Sequence, residues 1–73
     1  MPASLTETVA ADVRAELARA NVSRPEAARR LGMSREALYR RLRGEVSFTV
    51  AELEVLAELV GVPVTSFMRQ QAA

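Results

Sequence analysis

Arg35, Glu36, Tyr39, Arg40 and Arg43 lie within one short stretch of this 73-residue chain, and seven of its ten basic residues fall between Arg24 and Arg43. All ten are arginine. A guanidinium is a planar fork of donors that matches paired acceptors on a phosphate or on the O6 and N7 edge of guanine. A tyrosine adds a ring for apolar contact and a hydroxyl, and a glutamate can accept from a cytosine amine. Two acids, Glu26 and Glu36, oppose the seven arginines of this window, whereas three arginines meet seven acids in the rest of the chain. A molecule of formal net charge +1 built this way has a directed electrostatic face that draws polyanions to one segment. The plain alternative is a solvated helical face.

Composition narrows the chemistry further. Neither cysteine nor histidine occurs, which removes disulfides, thiolate metal sites, the commonest metal ligand and the commonest general base. A chain of this length holds one small core and no roomy cleft, so an enzyme is disfavoured and no metal, cofactor or small-molecule ligand is expected. No basic leader precedes an unbroken apolar run, and the most apolar stretch, LEVLAELVGVPV, is interrupted by charges and a proline. The expectation is a soluble, cytoplasmic protein with no membrane partner.

The elements that must position the arginines read as helices throughout. Ser4 with Glu7 has capping-box spacing, and Leu5, Val9, Val13 and Leu17 recur every four residues, predicting a helix of about Leu5 to Ala20. Ser23 with Glu26 forms a second box around Pro25, opening a helix of about Arg24 to Leu31 that Gly32 ends. Ser34 is placed to cap a third helix of about Arg35 to Leu42, stopped by Gly44. Thr49 with Glu52 opens a fourth, about Val50 to Val60, with Leu53, Leu56, Leu59 and Val60 inward. Pro63 suits the first turn of a short last helix reaching about Gln70. The fold class is all-α, a single five-helix domain over residues 1–73.

The second helix, a turn at Gly32 and the third helix have the lengths and punctuation of a helix-turn-helix spanning about residues 24–43. Ala28 lets the two helices approach, and Leu31, Met33, Leu38 and Leu42 anchor the pair on the core. Removing those residues leaves Arg35, Glu36, Tyr39, Arg40 and Arg43 as the exposed face, long donors that suit a major groove.

SRPEAARRLGMSREALYRRLRG followed by TVAELEVLAELVGVPVTSF resembles the lambda-type Cro and repressor (XRE) helix-turn-helix family, from about Leu5 to Phe67. The resemblance implies a five-helix lambda-repressor-like domain that binds double-stranded operator DNA, usually as a homodimer. It implies that Arg35, Glu36, Tyr39 and Arg40 face bases, Arg40 lying near the backbone as well. Arg24, Ser34 and Arg43 then meet phosphate. Two positions depart from the pattern. Arg41 stands where an aliphatic residue is common, so its stem must lie along the core while its guanidinium reaches solvent or an acid. Glu45 occupies a loop position where a basic residue often contacts phosphate.

Structural roles compete with these. Tyr39 could cover a core edge, Glu36 could pair with Arg40 along the helix, and Arg29 and Arg30 suit a solvated or salt-bridged outer face. Phe48 is expected beneath the fourth helix. Val64, Phe67 and Met68 are candidates for a dimer contact, although Phe67 and Met68 could equally complete the core. The functional expectation is a sequence-specific transcriptional regulator, a small Cro-like repressor of phage or bacterial type. The alternatives are an antitoxin or phage accessory DNA binder and a helical protein-interaction module whose basic face meets an acidic partner.

Overall fold

The computed structural model describes residues 4–67. Four α-helices, α1 (Leu5–Arg19), α2 (Arg24–Leu31), α3 (Arg35–Leu42) and α4 (Val50–Val60), are followed by a single 3-10 turn, Val64–Phe67. The bounds of α2, α3 and α4 match the sequence expectation, and α1 ends one residue early, where Ala20 caps it and Asn21 takes a positive φ of 58°.

Local chemistry sets these ends. Ser4 and Thr49 each accept the N–H three residues on and are bonded in return by Glu7 and Glu52, so both expected capping boxes close. The third does not. Ser23 accepts the Glu26 N–H at 3.2 Å, but the Glu26 carboxylate turns to Arg29 instead of back to the Ser23 N–H. A cationic donor one turn away outcompetes a neutral backbone amide for that carboxylate. Gly32 ends α2 in the left-handed region, φ 69°, which a side chain would disfavour.

The core joins Val9, Val13 and Leu17 of α1 to Leu38 and Leu42 of α3 and to Leu53 and Leu56 of α4. α1 packs on α3 and α4, α2 packs on α3 and α4, and the last turn closes against α4 and α1. Ala27 and Ala28 are the buried face of α2, and their small side chains let that helix lie close to its neighbours. Leu31, Met33, Phe48 and Leu59 are half-buried against the same core.

Three expectations need correction. Leu5 begins the apolar stripe of α1 yet is 49% exposed, because the helix starts beyond the edge of the core. The final helix is a 3-10 turn within the described residues, and its expected continuation to Gln70 lies outside them. Phe67 has no exposed surface: it fills the core of its own chain, so its side chain offers nothing to a dimer contact. Val64 is half-buried, and Met68 lies outside the described residues.

Two arginines of α1 tie the helix ends together. Arg14 donates to the Leu42 carbonyl at the end of α3. Arg19 donates to the Val60 carbonyl at the end of α4 at 3.0 Å. Last-turn carbonyls lack intrahelical partners and carry the negative end of the helix dipole, so a cation there satisfies both needs.

Candidate nucleic-acid interface

The two helices of the motif meet across a turn whose geometry follows from Gly32 and Ser34. Gly32 N–H bonds back to the Arg29 carbonyl and Met33 N–H to the Ala28 carbonyl, both near 3 Å, which closes α2 and redirects the chain. Ser34 then caps α3 by accepting the Ala37 N–H at 3.1 Å. Leu38 and Leu42 are buried, which fixes the rotation of α3 and turns Arg35, Glu36 and Arg40 outward. Arg43 caps the end of α3 and is exposed as well.

Tyr39 is half-buried, its ring packed on the core edge, and the Arg24 guanidinium of α2 lies over it at 5.4 Å from the ring centroid. A cation over an aromatic face is attracted by the ring quadrupole. The start of α2 and the exposed face of α3 are thereby joined into one surface.

That surface is electrically uneven. Among the described residues no carboxylate lies within ion-pair distance of Arg24, Arg30 or Arg35. The other end of α3 is paired. Glu36 sits 3.6 Å from Arg40 Nε and 3.9 Å from Arg43 Nη2, and Glu45 accepts a hydrogen bond from Arg43 Nε at 2.7 Å. That hydrogen bond holds the Glu45 carboxyl below its ordinary range, with the charges of Arg43 and Arg40 adding to the effect, and raises Arg43 in turn. The helical pairing weighed for Glu36 is present, and it leaves the side chain 67% exposed.

Arg29 is salt-bridged on the outer face of α2, reaching both Glu26 oxygens at 2.6 Å, and its hydrogen bond lowers the Glu26 carboxyl. Arg41 does what its position demands. Its stem is largely covered, Nε donates to Glu52 Oε1 at 3.1 Å and Nη1 to the Ala37 carbonyl at 3.0 Å. Glu52 Oε1 also accepts the Thr49 N–H, so one oxygen serves the cap of α4 and the brace to α3. The sequence reading had not singled out Arg14 or Glu52 as supports of the motif. Glu52 had a signal in its capping box, whereas Arg14 and Leu42 are 28 residues apart and share no local pattern.

No group of His, Cys, Asp or Glu side chains able to hold a metal ion occurs among the described residues, and no described helix is long and apolar enough to cross a membrane.

A helix-turn-helix domain family matches residues 9–66. No curated protein matches the chain. The crystal structure of a hypothetical transcription factor, NHTF, from Neisseria is similar to this fold with a TM-score of 0.76, covering 100% of this chain and 97% of that one at 20% identity. At that identity the likeness speaks for the fold, in keeping with the resemblance to lambda-type Cro and repressor domains. With the family match spanning most of its length, the chain belongs to the helix-turn-helix domain family.

Proposed function

We propose that the chain is a sequence-specific, double-stranded DNA-binding transcriptional regulator of the Cro-like repressor type, reading the major groove with α3. The observation that carries this is the placement of Arg24 and Arg35: both lie near helix starts on one surface, and neither has a carboxylate partner among the described residues. Free cations near helix starts are suited to phosphate and to base edges, because the helix dipole adds to their attraction. Ser34 fits the same role. Its oxygen accepts the Ala37 N–H, which leaves the hydroxyl hydrogen to donate to a phosphate.

Arg35, in the first turn of α3, is the proposed guanine reader, with Glu36, Tyr39 and Arg40 further along the base-facing side. Arg24, Ser34 and Arg43 are the proposed phosphate contacts. A single motif of this size reads few base pairs, so useful selectivity calls for a two-fold pair on half-sites about one helical turn apart. Of the C-terminal candidates, Val64 keeps a partly exposed side chain for such a contact.

Selection from random-sequence duplex DNA tests this reading. Enrichment of a palindrome supports sequence reading and two-fold binding together. A library that enriches nothing overturns sequence specificity and favours an acidic protein as the partner of the basic face.

A further inference from the structure

The exposed face of α3 is divided. Among the described residues, Arg35 in its first turn and Arg24 of α2, which lies over the Tyr39 ring, have no carboxylate partner, while Arg40, Arg43, Glu36 and Glu45 form one cluster with no net charge toward its end. All four side chains of that cluster are more than half exposed, so nothing in the core requires it. The pairing instead bears on what the arginines can bind. From this placement we infer that Glu45 is a specificity-determining residue: it holds Arg43 neutralised in the free protein and so suppresses binding to DNA of arbitrary sequence.

The physical argument is one of competition. A solvated arginine that meets a phosphate releases a condensed counterion, and that release drives non-specific binding. An arginine already bonded to a carboxylate must first give up that partner, and the freed carboxylate then faces the phosphates and recruits a cation of its own. The net release is small, so Arg43 adds little on a random duplex. On a well-fitted site, base contacts made by Arg35 fix the register and offset the cost of opening the pair. Glu45 thus lowers affinity where fit is poor more than where fit is good. Glu36 contributes from the other side of Arg43, at 3.9 Å, and cannot by itself replace the 2.7 Å bond from Arg43 Nε.

This inference rests on the DNA-binding role proposed for the face. Its test is the salt dependence of binding to a short random-sequence duplex by the wild type, Glu45→Gln, Arg43→Ala and the double variant. Glu45→Gln is expected to bind the random duplex about five- to tenfold tighter near 0.1 M salt, with a log–log salt slope steeper by about 0.9, the value of one added phosphate contact. In the Arg43→Ala background the same change should yield a clearly smaller gain, because no paired arginine remains to be released. An equal gain in both backgrounds, or no gain in either, overturns the role of Glu45 while leaving DNA binding intact. Absence of binding by every form, at low salt and on every sequence, overturns the DNA-binding role itself.

Discussion

Arg41–Glu52 and Arg43–Glu45 are two arginine–glutamate pairs whose cations stand two residues apart, and they do different work. The first is about four-fifths covered, bridges α3 to α4 and shares its acceptor with the cap of α4. The second is shorter, 2.7 Å against 3.1 Å, yet more than half exposed on both sides and local to one turn. Length does not rank them. Water screens the exposed pair and competes for its donors, whereas loss of the covered pair takes a cationic donor from a largely covered carboxylate that keeps only the Thr49 N–H, with little water to replace the arginine. One pair belongs to the fold, and the other is placed to govern what the surface binds.

The largest effect expected around these pairs concerns the turn at Gly44, between Arg43 and Glu45. A Cβ on Gly44 would lie 3.0 Å from Glu7 Cγ and 3.2 Å from the Glu7 Cα in α1, at a φ of 79°. Gly44→Ala therefore combines left-handed strain with a tight contact that Glu7 must yield to by a few tenths of an ångström, and should cost about 2–3 kcal/mol in urea unfolding. Gly32→Ala has the strain alone, with nothing within 4 Å of its Cβ, and should cost about 1 kcal/mol. Equal losses would mean that the contact between Gly44 and α1 does not constrain the fold.

Next comes the covered pair. Arg41→Ala removes bonds to Glu52 and to the Ala37 carbonyl together with the stem that covers the core edge, and should cost about 2 kcal/mol. Arg43→Ala should leave the unfolding midpoint in place. A midpoint that falls as far for Arg43→Ala as for Arg41→Ala would erase the distinction between the two pairs.

Smaller again are the effects on phosphate binding. Arg24→Ala should weaken specific and random duplexes alike and flatten the log–log salt slope by about 0.9. Arg43→Ala should flatten the random-duplex slope by less, since its partner is already a carboxylate. Arg19→Ala serves as the control, because that guanidinium is engaged by Glu16 and the Val60 carbonyl. Equal flattening by all three would mean that bulk charge alone matters.

What the sequence disclosed and what it hid divide along the same line as the two pairs. Ser34 and Gly32 bracket the turn through bonds within a few residues, so α2 and α3 could be bounded from spacing alone. The face of α3 was equally legible, since removing Leu38 and Leu42 leaves it. Outcomes that depend on competition or on distant parts of the chain were not. Glu26 had two partners within reach by spacing, and Arg29 took it. Phe67 could cover a core or a partner until the packing of the last turn against α4 and α1 placed it inside. Arg14 meets the end of α3 only because α1 folds across it. Glu45 stood out as a departure from a basic position, but its bond to Arg43 depends on the turn at Gly44.

The most direct test of α3 as the reading element is the affinity of wild type and Arg35→Ala for a selected operator and its full set of single-base changes. Two guanine acceptors are satisfied by one guanidinium, so loss of Arg35 should cost about 1–3 kcal/mol at one base position and relax the preference there, with the other positions unchanged. The same loss at every operator variant would contradict the account, making Arg35 a phosphate contact and leaving base reading to Glu36, Tyr39 or Arg40.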